Sequence, residues 1–277
     1  MSTSEPSVIF PPGTGGNPNP PVVCAPFKLG RRPAKRLLKT PALGDYLTAA
    51  KSWPAVAPWG WEAAPDLGPL DMLANDTLGD CGPAGAMHLI QVQTANTGNP
   101  LHGTVQQTID LYSAVTGYNP ADPSTDQGTV LTDLLAYWKT TGITVTDATG
   151  KEAVHKILGW ASLDLSSIAQ QRYATYLFGG TYLGINCPQS ALQDTDDWQY
   201  VPGSPIEGGH CICGVGQGGA GGKIVSWGKV IPYGWPFMQN LLEEAYIVIS
   251  EDWIESQSGK SPSGLDLSGL TAAMAAL

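Results

Sequence analysis

The stretch NDTLGDCGPAGAMHLIQVQTANTG, residues 75–98, constrains the fold of this chain more than any other. It changes character at one point. Asn75, Asp76, Gly79 and Asp80 are turn-formers, whereas Ala84, Met87, Leu89, Ile90 and Val92 form an apolar run that ends at Gly98 and Pro100. Proline is tolerated in the first turn of a helix, so Pro83 and this spacing predict a helix that starts near Cys81 and stops before Gly98. Cys81 would then lie where unpaired backbone N–H groups and the positive end of the helix dipole favour a thiolate. That makes it a nucleophile candidate, which needs a base supplied from elsewhere in the fold.

The texture of the chain changes along its length. Helical patterns occur at 83–96, 104–116, 127–140 and 166–178. TYLGINCP (181–188), GGHCICGVGQ (208–217), KIVSWG (223–228) and EEAYIVIS (243–250) read as strands. Helices first and strands later indicate an α+β fold. Of the four histidines, His210 is the candidate base. It follows Gly208 and Gly209, and alternation puts His210, Ile212 and Gly214 on one face of a strand and Cys211, Cys213 and Val215 on the other. His88 reads as a packed residue on the Cys81 helix, and His102 and His155 as surface residues in polar, turn-rich contexts.

These words, in this order, resemble the papain-like cysteine peptidases, including the bacteriocin-processing branch that cuts after double glycines. Asp80-Cys81-Gly82 is similar to the nucleophile word, Gly208-Gly209-His210 to the histidine strand, Ser226-Trp227-Gly228 to the Ser-Trp-Gly word, and Ala245-Tyr246-Ile247-Val248-Ile249 to the closing strand. The likeness spans roughly residues 70 to 255. It implies two lobes, one helical and one of antiparallel strands, with a cleft between them. It also implies thiol-dependent hydrolysis or acyl transfer on a peptide-like substrate, with Cys81 as nucleophile and His210 as base. Asn75, six residues before Cys81, stands where the family has an oxyanion-binding Gln. Val225 stands where the family has the Asn that orients the histidine, so that task falls to Ser226 or to another group. Trp227 is expected to shield the histidine's hydrogen bond, and Gly208 and Gly209 to line the substrate path. No cofactor or metal is implied. Two other classes stay open because the orienting Asn is missing: a papain-like chain that has lost its chemistry and serves in a phage or virus-like particle, and a peptide- or wall-binding module without turnover.

Composition narrows the setting. The 277 residues carry a net charge of −10, which argues against nucleic-acid binding by the body. Five cysteines (Cys24, Cys81, Cys187, Cys211 and Cys213) without framework spacing argue against a disulfide scaffold. His210 and its two neighbouring cysteines alternate across a strand, which argues against zinc. The start, MSTSEPSVIF, lacks a charged, then apolar leader, so cytoplasmic synthesis is expected, and no run is long enough to span a membrane. Residues 1–40 form a Pro/Gly-rich, basic arm that holds Lys28, Arg31, Arg32, Lys35, Arg36 and Lys39 against one acid, Glu5. Such an arm is expected to dock on an acidic surface, its own or that of a neighbour in self-assembly. Residues 41–70 read as an extended Trp/Pro-rich crossing segment, 71–165 as the helical lobe, 166–255 as the strand-rich lobe and 256–277 as a flexible tail.

Overall fold

The structure, a computed structural model, describes residues 27–35, 40–46, 58–255, 257–264 and 266. The elements follow in the order α1 (Leu43–Tyr46), β1 (Trp59–Gly60), α2 (Cys81–Asn96), β2 (Leu101–His102), α3 (Val105–Thr116), α4 (Leu131–Thr140), β3 (Ile143–Asp147), β4 (Glu152–His155), β5 (Gly159–Ser162), α5 (Ile168–Leu177), β6 (Thr181–Pro188), α6 (Gln189–Gln193), β7 (Ile206–Gln217), β8 (Gly221–Ser226), β9 (Lys229–Gly234), α7 (Trp235–Leu241) and β10 (Leu242–Ile249). It is a two-lobed α+β fold. One lobe holds α2, α3, α4 and a small sheet of order β2-β3-β4; the other is an antiparallel sheet of order β5-β10-β6-β7-β8-β9, with β1 added to β7. β5 lies upstream of residue 165, yet it joins this larger sheet by pairing with β10.

α2 is buried on every side from Cys81 to Ala95. A helix that is covered all round is a core element rather than a surface one, and α2 forms the centre of the molecule. Its close approach to the sheet depends on a missing side chain. A Cβ at Gly85 would stand 3.1 Å from the Cys211 sulfur and 3.3 Å from the Tyr182 ring. Cys211, Cys213 and Val225 join the core around α2, whereas Ile212, Ile224 and Trp227 join the core on the opposite face of the sheet. The alternation predicted for β7 is therefore the one observed. α3 opens with a reciprocal capping box between Thr104 and Gln107 and closes at Gly117 with φ 78°. α4 and α5 begin and end within a few residues of the expected helices. β9 and the β3–β4 hairpin are additions that the reading of the strands did not contain.

Two histidines are locked into this frame. His88 Nε2 donates to the carbonyl of Asp71 at 2.9 Å. His155, expected at the surface, is 1% exposed: Trp138 Nε1 donates to its Nδ1 at 2.9 Å, and its Nε2 lies 3.1 Å from Ser250 Oγ. The expectation of a surface position is corrected, because β4 turns its side chain inward against Trp138. Burial lowers the pKa of both rings to about 4. The unfolded chain therefore takes up these protons first as the pH falls below 6.5, and stability present above that point is lost on the way to pH 4. In His155→Gln, the drop in unfolding free energy between pH 7 and pH 5 is expected to shrink by about 2 kcal/mol. Urea melts at the two pH values measure it, and an undiminished drop would show that His155 is not neutral in the fold.

Candidate active site

Cys81 is the first residue of α2, and it follows a loop with two residues in the left-handed region, Leu73 (φ 56°) and Ala74 (φ 69°). Such backbone is costly for side-chain-bearing residues and holds Asn75 in one place. The Cys81 sulfur accepts the backbone N–H of Cys211 at 3.3 Å, so the nucleophile candidate sits beside the residue that follows His210. On the other side of β7, His210 Nε2 is hydrogen-bonded to Ser226 Oγ at 2.7 Å. Its Nδ1 is buried and has no hydrogen-bond partner.

The ring is held between aromatics. Trp227 stacks on it with centroids 4.6 Å apart and planes at 22°, and Phe27 stacks on the outer face of Trp227 at 4.5 Å. Trp227 reaches this place because Trp227 (φ 46°) and Gly228 (φ 72°) make the tight two-residue turn between β8 and β9. Position 225, which the family resemblance marked for the orienting group, faces the other way. Val225 pairs with Cys213 and Val230 and packs in the core around α2. One step along a strand reverses the face, so Ser226 rather than residue 225 reaches His210.

Residues 27–35 form a strap across this site. Arg31 N donates to the carbonyl of Gly209 at 2.8 Å. Thr129 N donates to the carbonyl of Gly30 at 2.7 Å, and Arg32 N to the carbonyl of Thr129 at 2.8 Å. Gly30 packs on Gly79, two residues before Cys81, and its backbone N–H favours the Cys81 thiolate. The channel is lined by glycines. A Cβ on Gly30 would collide with the Gly79 carbonyl, one on Gly128 with Gly30, and one on Gly209 with Arg31, while one on Gly208 would stand 3.1 Å from the Leu29 side chain. Asn75, assigned by resemblance to the oxyanion, instead directs its Nδ2 at the carbonyls of Lys28 (3.4 Å) and Leu78 (3.3 Å). The basic segment docks on its own chain: Lys28 pairs with Asp126, Lys35 with Asp133, and Arg31 with Glu244. Asp126 also accepts from Tyr112 Oη at 2.7 Å, and Tyr112 Oη accepts from Gly128 N, which braces the loop that carries Thr129. Arg36 and Lys39 lie outside the described residues, as does Cys24.

Enclosure sets the charge state. Burial pushes the Cys81 thiol up to about 12, although the N–H groups of Cys211 and Gly30 pull the other way. Burial, with the Arg31 charge nearby, takes His210 down to about 3. Burial likewise raises Asp80, beside Cys81, to about 8. At neutral pH the strapped site therefore holds a thiol, a neutral imidazole and a largely protonated Asp80, with no thiolate–imidazolium pair.

The fold has known counterparts. No protein-family model and no curated protein matches the sequence. Among solved structures, xylellain, a cysteine protease from Xylella fastidiosa, superposes with a TM-score of 0.56 at 12% identity, over 81% of this chain and 96% of that one. A proCathepsin B from Trypanosoma congolense gives 0.57 at 10% identity, over 83% and 89%. A Carica candamarcensis cysteine protease in complex with E-64 gives 0.52 at 14%, over 70% and 98%. The fold is that of the papain-like cysteine proteases. The structure sets Cys81 beside Cys211, the residue after His210, joins His210 to Ser226 and Trp227, and places Gly208 and Gly209 along the strap. Thr129, Gly79, Gly128 and Glu244 belong to the same surface, and the sequence reading passed them over. The acidic pair Glu243-Glu244 at the head of the apolar run AYIVI was the available signal for Glu244.

Ser226→Ala and Val225→Asn separate the two orienting positions. Ser226→Ala is expected to keep the fold and to change the His210 tautomer, read from its ring nitrogen shifts. Val225→Asn places an amide in the apolar core at a cost of about 1–3 kcal/mol and leaves those shifts alone. An altered His210 spectrum in a folded Val225→Asn protein would overturn this register.

Proposed function

We propose that the chain is a thiol-dependent hydrolase or acyl transferase of peptide-like substrates whose site is closed, in this state, by its own residues 27–32. The observation that carries this reading is the strap itself. An extended main chain runs through a glycine-lined channel, bonds to Thr129 and to Gly209, and packs its Gly30 on Gly79, two residues before Cys81. A channel that accepts one extended peptide accepts another. With the strap out, water reaches the sulfur and the imidazole, and the burial that suppresses their charges is relieved. His210 then takes the Cys81 proton at Nδ1, the ring nitrogen left without a partner, while Ser226 holds Nε2. The sulfur attacks the carbonyl carbon. The helix N-terminus and the Asn75 amide, freed from Lys28, stabilise the oxyanion. His210 returns the proton to the leaving amine, and water repeats the sequence on the thioester. Trp227 keeps solvent from the His210–Ser226 bond.

The strap and the thiol can be separated by one substitution. Gly30→Leu cannot seat its side chain against the Gly79 backbone. Removing the cover should raise the rate of Cys81 alkylation by iodoacetamide or E-64 by on the order of tenfold or more, because thiolate availability sets that rate. Peptide cleavage should appear with it and vanish in Gly30→Leu/Cys81→Ala. A displaced strap, seen as protease sensitivity near residue 30, with Cys81 still inert and a peptide library uncut, would refute the hydrolase reading and favour a binding role for the cleft.

A further inference from the structure

Arg31 belongs to the strap, but the pocket that holds its side chain belongs to the body. Its guanidinium donates from Nη1 to Glu244 Oε1 at 2.9 Å, from Nη2 to Asn186 Oδ1 at 3.1 Å and from Nε to the carbonyl of Ile185 at 3.3 Å. The Arg31 and Glu244 side chains are 5% and 4% exposed. The acceptors are themselves fixed. Tyr246 Oη donates to Glu244 Oε2 at 3.0 Å, and Asn186 Nδ2 donates to Glu243 Oε1 at 2.7 Å, which turns Asn186 Oδ1 toward the guanidinium. A bulge in β10 between Leu242 and Glu244 re-aims the strand so that both glutamates meet β6. The space is kept open as well: a Cβ on Gly184 would stand 2.6 Å from Glu244 Cγ and collide with the Arg31 stem.

A buried carboxylate is costly to maintain, and a strap that only covered the cleft would be served as well by an apolar side chain in an apolar pocket. Three acceptors in a fork match a guanidinium and not the point charge of an ammonium. The pocket also lies one residue from the chemistry. Gly30 packs on Gly79, two residues before Cys81, and the next residue along the strap enters the pocket while its N–H bonds to Gly209, which precedes His210. A peptide that brings a carbonyl to Cys81 runs between Thr129 and Gly209 as the strap does, and its neighbouring side chain faces Glu244. We propose that the Glu244–Asn186–Ile185 pocket reads an arginine side chain of the peptide acted on at Cys81, and that Arg31 occupies it in the closed state. This rests on the peptidase-like reading of the site. Side chains without a guanidinium leave Glu244 buried and unpaired, and this is the source of the selectivity.

Full-length Arg31→Ala empties the pocket. Agmatine, a small guanidinium compound, is titrated into it by calorimetry and by thermal melting. Agmatine should bind and raise Tm, putrescine should bind more weakly, and Arg31→Ala/Glu244→Gln should lose agmatine affinity by on the order of tenfold. If Arg31→Ala does not fold alone, recovery of the folded state when agmatine is present during refolding is the same readout. Neither binding nor rescue would overturn the proposal. Peptidyl chloromethyl ketones carrying Arg or Leu beside the reacting glycine are then compared on Cys81 of Arg31→Ala. Faster labelling by the Arg reagent, by on the order of tenfold, supports the substrate role, and equal rates overturn it. Agmatine binding beside a Cys81 that reacts with neither reagent would sink the peptidase reading, and the substrate role with it, while leaving a guanidinium site in place.

Discussion

The contact between α2 and β7 is the constraint on which the rest of the structure depends. Only a residue without a side chain at position 85 lets the helix lie against Cys211 and Tyr182, and Tyr182 Oη in turn donates to the carbonyl of Gly82 at 2.8 Å. This fixes the first turn of α2 against the middle of the sheet, and the Cys81 sulfur meets the Cys211 N–H as a direct result. His210 is the preceding residue on the same strand, so its distance from α2 is set by the same packing. One helix–sheet contact thus places Cys81 and His210, the candidate nucleophile and base, from positions 129 residues apart.

The burial that places these groups also suppresses their charges. A thiol pushed up to about 12 and an imidazole lowered to about 3 cannot exchange a proton productively at neutral pH. Position and activation are therefore separate properties of this site. Position comes from the core. In the proposed function, activation depends on whether solvent reaches the cleft, which residues 27–32 cover. The strap is bound by backbone pairing to Thr129 and Gly209, by the Phe27–Trp227 stack and by the Arg31–Glu244 pair. The exposed Lys35–Asp133 pair adds little, since ion pairs of that kind are worth under about 1 kcal/mol. Of these contacts the Arg31 pair is the most enclosed, and its loss leaves a buried Glu244 without its cation. Removal of the whole arm would thus disturb the strand-rich lobe, although the apolar patterns of that lobe begin much later in the chain.

Much of the frame was legible in the sequence because it rests on local periodicity. The run after Cys81, the helical pattern at 104–116, and the alternation from His210 to Val215 each declare a helix or a strand without reference to distant residues. The order of these words was enough to suggest the papain-like architecture, although the solved structures that share it are only 10–14% identical over the aligned regions. Other features were illegible for a definite reason. Face assignment at the end of β8 turned on a single-residue step: Val225 and Ser226 are neighbours in sequence but lie on opposite sides of the sheet, and only the pairing with β7 and β9 tells which one meets His210. His155 reads as a surface residue in sequence, and its burial comes from packing against Trp138, seventeen positions earlier.

The sequence by itself determined which residues are chemically able to act and on which elements they ride: a cysteine at a helix start, a histidine in a strand, a Ser-Trp-Gly turn and a basic segment ahead of them. These follow from turn formers, apolar spacing and charge, which act over a few residues. Tertiary structure alone decided that the basic segment returns through the cleft, that its arginine enters a pocket built by β6 and β10, and that the cysteine and histidine are held uncharged beneath it. Those outcomes depend on desolvation and on contacts between positions up to 213 residues apart, and no local pattern encodes them.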